Sequence, residues 1–292
     1  AAVAAGRPLP KGAKEGTIPA YFSDKRFDDA AVPLSDKTKA AVAAMGYDTM
    51  TKIQAAALPP LLAGNDVVGF AKTGSGKTLA YCIPIVELLS KARMSREAGI
   101  GALIIAPVRE LADQIMQQLE ALVSARGDGA RLKVHKSAGG TSSTADRKAI
   151  KAGVQILVAT PGRLLDHMNN TGLRLENLAM LVLDEADRLL DATFKKDMDI
   201  ILAKLGGASR SHQTALFSAT DSPDVAAFTK KALGGAAEPT VLKVDVDDPV
   251  ATVSTLDQGF VMCPSDQRFL LLFTFLKKNK DKKVRGEEGG GG

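Results

Sequence analysis

The chain has no tryptophan, two cysteines and three histidines in 292 residues, and only 4% of it is aromatic. Each scarcity removes a class of function. Cys82 and Cys263 lie far apart with no metal or redox spacing, which excludes a disulfide-stapled scaffold and fits a reducing, intracellular setting. His135, His167 and His212 have no ligand spacing and read as structural or surface residues. With so few aromatics, a base-stacking platform is not expected. No run approaches roughly eighteen uninterrupted apolar residues, so no membrane span is expected. What remains is a chain that is 45% hydrophobic, enough for one large domain or two modest ones. Its net charge of +5 is mildly basic, which permits a polyanion partner without requiring one.

The most informative stretch is Ala71, Lys72, Thr73, Gly74, Ser75, Gly76, Lys77 and Thr78. An apolar run, 66–70, precedes it as a short buried strand, and 79–83 follows as the start of a helix. Strand, Gly-rich loop, Lys, Thr and helix form the phosphate-binding loop of nucleotide hydrolases. Gly74 and Gly76 let the backbone turn tightly and approach a ligand. Successive amide N–H groups and the positive helix start then face a polyphosphate. Lys77 reaches its β and γ phosphates, and Thr78 offers a hydroxyl to Mg2+. The strict pattern has Gly first, where this chain has Ala71.

In chain order, residues 1–21 are rich in Ala, Gly, Pro and Lys without apolar period, and read as a disordered leader. They lack the apolar core of a secretory signal. Ser35 caps a helix that Gly46 ends, and 47–50 reads as a connector. Thr51 and Gln54 have the spacing of a capping box for a helix through Leu62. That reciprocal cap explains Gln54 without a ligand. Its amide can equally read an adenine edge, because it both donates and accepts. Pro84 is expected to kink or break the helix after the loop. Further apolar strands are expected at 102–106, 132–135, 154–159, 180–183, 215–217 and 241–244, alternating with helices. Such alternation predicts an α/β fold, a parallel sheet covered on both faces, with ligands beyond the carboxyl ends of its strands.

Almost every polar motif falls at such an end. Asp184 and Glu185 follow one strand: Asp184 suits a magnesium ion and Glu185 an attacking water. The competing reading is that both simply favour the start of the next helix. Ser218 and Thr220 follow another strand, within reach of Asp184 and Asp187 on this reading. Arg109, Gly139, Gly140, Thr160, Gly162 and Arg163 offer charge, hydroxyl and exposed N–H, the donors used on phosphates. Taken singly they are equally turn residues and solvated charges.

With these residues assembled, the chain resembles the DEAD-box ATP-dependent RNA helicases over residues 22–276. Residues 46–54 are similar to the family's Q motif, with Phe27 as its upstream aromatic. Ala71–Thr78 resembles motif I, Pro107–Ala112 motif Ia, Gly139–Gly140 the GG motif and Thr160–Arg163 motif Ib. Asp184–Asp187 is similar to the name-giving box and Ser218–Thr220 to motif III. The resemblance implies a RecA-like fold over 22–244, with ATP and Mg2+ as cofactors and RNA as partner. It implies that Gln54 and Phe27 read adenine, and that Asp187 belongs to the nucleotide site. It further implies that Pro107, Arg109, Gly139, Gly140, Thr160, Gly162 and Arg163 hold the RNA backbone. Ser218 and Thr220 would couple hydrolysis to RNA. Met50 stands where many members have Pro. Val108 stands where they have Thr, which removes one hydroxyl.

Residues 245–253 read as a linker, 256–263 as a strand and 265–278 as a helix, resembling the opening of a second RecA-like domain. The run 267–276 is most similar to the branch active in nucleolar ribosome assembly, which implies a nucleolar setting and pre-ribosomal partners. The chain ends in a basic run and Gly289–Gly292. About thirty residues cannot bury a core of their own. This polypeptide alone is therefore expected to bind ATP and Mg2+, hold RNA weakly and unwind nothing. Its apolar helix at 269–276 is expected to dock or to drive association. Two other readings are an ATP-gated RNA scaffold without turnover and a DNA-directed phosphate-loop ATPase.

Overall fold

The computed structural model describes residues 22–29, 32–129, 131–140, 142–206, 211–234, 238–244 and 261–279. The expected leader, the linker and residues 256–260 of the expected strand lie outside these. Two compact units are present, Ala1–Asp247 and Asp248–Gly292.

The first unit begins with an antiparallel ribbon, β1 (Phe22–Arg26) against β2 (Thr49–Thr51), with α1 (Asp36–Ala44) between them. The ribbon corrects the expectation of a plain connector at 47–50. It carries no alternating apolar signal, and tertiary bonds hold it: the Ser23 hydroxyl donates to the Met50 carbonyl at 3.0 Å, and the Phe27 N–H donates to the Asp48 carbonyl at 3.1 Å. Ser35 caps α1 by accepting from the Thr38 N–H. α2 (Lys52–Leu62) starts with the full capping box of Thr51 and Gln54.

Seven parallel strands follow: β3 (Val67–Ala71), β4 (Ala102–Ile105), β5 (Val134–Ser137), β6 (Ile156–Ala159), β7 (Met180–Leu183), β8 (Gln213–Ser218) and β9 (Thr240–Val244). Their order across the sheet is β5-β6-β4-β7-β8-β3-β9. The helices α3 (Lys77–Lys91), α4 (Arg109–Ala125), α5 (Ser143–Lys151), α6 (Pro161–Asn170), α7 (Ala186–Leu189), α8 (Ala192–Lys204) and α9 (Pro223–Leu233) lie between them in the chain. Each central strand is apolar at successive positions because both its faces are covered. Val67, Ile104, Val182 and Ala215 join a core with residues of α2, α3 and α4, while Val68, Leu103, Leu181 and Leu216 join another with residues of α6, α8 and α9. The expected α/β fold with helices on both faces is the fold observed.

Pro84 does not break its helix. α3 runs unbroken from Lys77 to Lys91, with Ile83, Pro84, Ile85, Val86 and Leu89 buried. The hydrogen bond that proline forfeits is outweighed by this burial, at about 1.5–3 kcal/mol for each large apolar side chain. In the second unit, a 3-10 turn at Ser265–Gln267 leads into α10 (Arg268–Lys278), close to the expected helix. No residue of α10 is buried, and residues 261–264 carry no strand.

Candidate functional site

The sheet order sorts the polar motifs. In the chain they run from β3 to β8 through β4, β5, β6 and β7. In space the carboxyl ends of β7, β8 and β3 are contiguous, and those of β5, β6 and β4 form the other group. The first group carries the phosphate loop, the paired carboxylates and Ser218–Thr220. The second carries Pro107–Arg109, Gly139–Gly140 and Thr160–Arg163.

The loop between β3 and α3 has the backbone its sequence requires. Gly74 and Gly76 have φ of 81° and 94°, a region that L side chains rarely adopt. A Cβ at Gly76 would lie 2.7 Å from Gln54 Nε2 and 2.9 Å from Thr51 Oγ1. Gln54 is only 2% exposed. Its Oε1 accepts from the Thr51 N–H at 2.8 Å and its Nε2 donates to the Gly76 carbonyl at 3.0 Å. The capping reading of Gln54 is thus realised, and the same amide also ties α2 to the loop. One amide hydrogen and further acceptor capacity remain for an adenine edge. Phe27 is 3% exposed and packs within the core, so stacking on a base requires its ring to be uncovered.

Lys77 is 7% exposed, and its Nζ donates to the Ala71 carbonyl at 2.7 Å. Burial pulls the ammonium below the usual lysine range, against the pull of Asp184, Glu185 and Asp187. Those three carboxylates sit on the adjoining β7 edge. Asp184 is 2% exposed, and burial raises its carboxyl above the usual aspartate range, opposed by Lys77 and by hydrogen bonds from Tyr81 and the Glu185 N–H. Glu185 stands at the start of α7 with φ 49°. Such a conformation in a non-glycine residue costs on the order of 1–3 kcal/mol and persists only where its surroundings enforce it. Glu185 makes no side-chain cap bond. Its Oε2 instead accepts from Arg188 Nη1 at 2.7 Å. Glu185 is therefore not an ordinary helix cap, whereas Asp184 Oδ1 accepts from the Glu185 N–H at 2.9 Å at the start of α7.

Thr220 Oγ1 lies 3.4 Å from Asp187 Oδ2, as the sequence reading placed it. Ser218 does not reach Asp184: its hydroxyl donates to the Thr220 carbonyl at 2.9 Å and closes a turn.

The loop fits a polyphosphate. Among the described residues, Ser75 Oγ alone is a buried side-chain polar atom with no hydrogen-bond partner, a donor awaiting an acceptor. Thr73 and Gly74 are exposed beside it, and Lys72 and Thr78 are half-buried. No group of three or more His, Cys, Asp or Glu able to hold a metal occurs among the described residues. Mg2+ is usually held by one or two protein groups together with phosphates and water, and Thr78 and Asp184 are the candidates for that role.

The other edge is more open. Arg109 opens α4, lies 3.8 Å from Asp113 and is half-exposed. Gly140, with φ 83°, comes so close that a Cβ there would lie 2.9 Å from Arg109 Nη1. Motif Ia and the GG turn, thirty residues apart in sequence, are thus brought together. Pro107 is buried, while Gly139 and Gly162 are exposed. Thr160 precedes α6 without capping it. Arg163 Nε lies 3.8 Å from Asp146 Oδ2. Asp146 also accepts from the Ser137 hydroxyl at 3.0 Å and pairs with His135 Nε2 at 3.2 Å. Val108, where the hydroxyl is missing, is the N-cap of α4 and supplies no cap bond.

Comparison with known proteins agrees with this geometry. The sequence pattern described as DEAD/DEAH box helicase matches residues 51–228. The chain belongs to that family. It is 43% identical over 277 residues to "ATP-dependent RNA helicase HAS1" of Phaeosphaeria nodorum, covering 94% of this chain and 43% of that protein. It is 44% identical over 264 residues to human "ATP-dependent RNA helicase DDX18", covering 90% of this chain and 38% of that one. It therefore spans less than half the length of these helicases. The crystal structure of a DEAD box protein from Methanococcus jannaschii superposes with a TM-score of 0.65 at 33% identity, covering 88% of this chain and 64% of that one.

Two contributors were missed in the sequence. Arg188 steadies Glu185, and Tyr81 donates to Asp184 Oδ2 at 2.7 Å. Helical spacing was the available signal for both: Tyr81 lies one turn after Lys77, and Arg188 three residues after Glu185.

Proposed function

We propose that this chain is the nucleotide-binding half of an ATP-dependent RNA helicase, in which RNA-stimulated ATP hydrolysis drives remodelling of RNA duplexes or RNA–protein complexes. One observation carries the reading. Sheet order sets a phosphate loop with an unpartnered buried Ser75 hydroxyl beside the carboxylates of β7.

On this reading the loop amides and Ser75 bind the triphosphate. Lys77 exchanges its bond to the Ala71 carbonyl for β and γ phosphate oxygens, whose negative charge raises its proton affinity again. Gln54 presents its remaining amide hydrogen to adenine, and Phe27 forms the wall behind it. Thr78 and Asp184 hold Mg2+, which would draw charge from the phosphates. Glu185, with one oxygen on Arg188, uses the other to orient and deprotonate the attacking water. Asp187 and Thr220 link this edge to motif III, where Ser218 keeps the turn closed. RNA phosphates lie along Arg109, Gly139, Gly140, Thr160, Gly162 and Arg163, with Pro107 shaping the turn beneath them.

A second RecA-like domain completes the proposed machine, and α10 belongs to it. Its apolar residues Phe269, Leu272, Phe273 and Phe275 would enter that domain's core. The similarity of residues 267–276 to the nucleolar ribosome-assembly branch supports a role there, with pre-ribosomal proteins as partners. Among the described residues no helix is long and apolar enough to cross a membrane. Alone, the 292 residues are expected to bind ATP and Mg2+ without unwinding, because a finger arginine from a second domain contributes about 10³–10⁵ in turnover.

The test joins the missing second domain to the chain and measures RNA-stimulated ATP hydrolysis, with Glu185→Gln as comparison. Turnover abolished by Glu185→Gln with ATP binding retained supports the proposal. No turnover in the joined wild-type protein favours an ATP-gated RNA scaffold. Stimulation by DNA equal to that by RNA favours a DNA-directed ATPase.

A further inference from the structure

The Tyr81 hydroxyl reaches Asp184, one of the two side chains assigned to the metal. Tyr81 lies on α3, one turn beyond Lys77 and Thr78, and is 0% exposed. Its ring is tilted 45° against Phe217, with centroids 5.6 Å apart. Phe217 is itself held close to β3, where a Cβ at Gly69 would fall 2.7 Å from its ring. The tyrosine is therefore clamped between the loop helix and the strand that ends in Ser218. Its hydroxyl donates to Asp184 Oδ2 at 2.7 Å. The second carboxylate oxygen, Asp184 Oδ1, accepts from the Glu185 N–H at 2.9 Å. Two separate elements thus hold the two oxygens of one carboxylate.

We infer that Tyr81 is a positioning residue for the nucleotide-bound metal, its hydroxyl holding Asp184 Oδ2 so that the carboxylate is fixed at both oxygens. The inference rests on the proposed ATP site. A phenylalanine ring would fill the same space in the core, so the oxygen is what the inference concerns. Mg2+ demands near-ideal octahedral geometry of its ligands and bound waters. Loss of this hydrogen bond leaves the carboxylate held at one oxygen only, which weakens metal binding far more than nucleotide binding. Removing a partner that orients a metal ligand typically lowers metal affinity by about 10–100-fold.

The experiment uses the full chain and a fluorescent ATP analogue, titrated in EDTA and against increasing Mg2+. For Tyr81→Phe, affinity in EDTA is expected to stay within roughly twofold of wild type. The Mg2+ concentration for half-maximal response is expected to rise about tenfold, the lower end of that range. In an Asp184→Asn background, Tyr81→Phe is expected to add nothing. An unchanged Mg2+ midpoint overturns the inference, as does an equal loss with and without metal, which is what a merely loosened core would give. A wild-type chain that binds no nucleotide overturns this inference together with the ATP reading. A wild-type chain that binds with Mg2+ dependence, matched by Tyr81→Phe, overturns the positioning role alone.

A second measurement needs no change at Tyr81. The chain has three tyrosines, so 3-fluorotyrosine labelling gives three fluorine resonances, assigned by Tyr21→Phe and Tyr47→Phe. The Tyr81 resonance is expected to shift when Mg2+ is added to the nucleotide-bound protein. A resonance that ignores the metal sinks the positioning role.

Discussion

The two halves of the sheet's carboxyl edge are built differently. At β7, β8 and β3 the charged groups are buried: Asp184 is 2% exposed and Lys77 7%. They are held by short bonds from separate elements, and one residue, Glu185, keeps a left-handed backbone. At β5, β6 and β4 the candidates include exposed glycines and the exposed Arg109, 3.8 Å from Asp113, while Arg163 is half-buried, 3.8 Å from the buried Asp146. An exposed pair such as that of Arg109 contributes little, about 0–1 kcal/mol. The first half is largely preorganised, so that buried charge acts at low dielectric, with Lys77 exchanging one bond. The second stays adaptable, which suits a repeating polyanion gripped by its backbone. One fold thus places a rigid chemical site and a softer binding surface on a single edge.

Removing the rigid half's cation tests that division most severely. Lys77→Ala is expected to weaken nucleotide affinity about 100-fold, roughly two charge-assisted hydrogen bonds. RNA affinity measured without nucleotide should not change. A matching loss of RNA affinity in a fluorescence-anisotropy titration would show that the two halves are not separable. The converse substitution is Arg163→Ala. It is expected to weaken RNA binding several-fold and to lower the slope of log affinity against log salt by about 0.7–1, with nucleotide affinity unaltered. An unchanged salt slope would remove Arg163 from the RNA surface.

Val108 sharpens the contrast at smaller scale. Val108→Thr restores a hydroxyl at an uncapped helix start and is expected to stabilise the fold by about 1 kcal/mol. Denaturant melts would read this, and no gain would mean that the α4 amides are already satisfied.

The smallest effect concerns the support beneath the softer half. His167 is fully buried, with Nε2 2.8 Å from the Ser137 hydroxyl and Nδ1 2.8 Å from Thr171 Oγ1. Burial lowers its proton affinity below that of an ordinary histidine, against the attraction of Asp146. A base with a depressed folded pKa binds fewer protons folded than unfolded. Stability from this group is therefore full above the unfolded pKa of about 6.5 and falls with pH below it. Melting temperature is expected to drop from pH 7.5 to 5.5, and less steeply in His167→Gln. Parallel profiles would show that another group sets the slope.

Much of the nucleotide half was legible in the sequence. The loop needs glycines at fixed offsets, the box needs adjacent carboxylates after an apolar strand, and Thr51 with Gln54 announces a helix start. The softer half was legible only through its likeness to a family, since scattered Gly and Arg carry no period. Pro84 misled because local propensity speaks of an isolated helix, whereas α3 is held by its buried face. The β1–β2 ribbon was invisible because its bonds join residues some 27 apart in sequence, as between Ser23 and Met50. In the sequence Tyr81 belongs only to a helix start at 79–83, and its bond to Asp184 exists only in the tertiary structure.

The sequence by itself determined the apolar strands, the alternation that buries them on both faces, and the chemistry waiting at each strand end. Local spacing suffices for these, because turn geometry and side-chain chemistry act over a few residues. Tertiary structure alone decided which ends are neighbours. Crossovers carry β4 past β7 and β8, so loop and carboxylates 107 residues apart, Lys77 and Asp184, meet on one edge. Strand order follows from burying two apolar sheet faces at once, a condition that no single stretch of chain expresses.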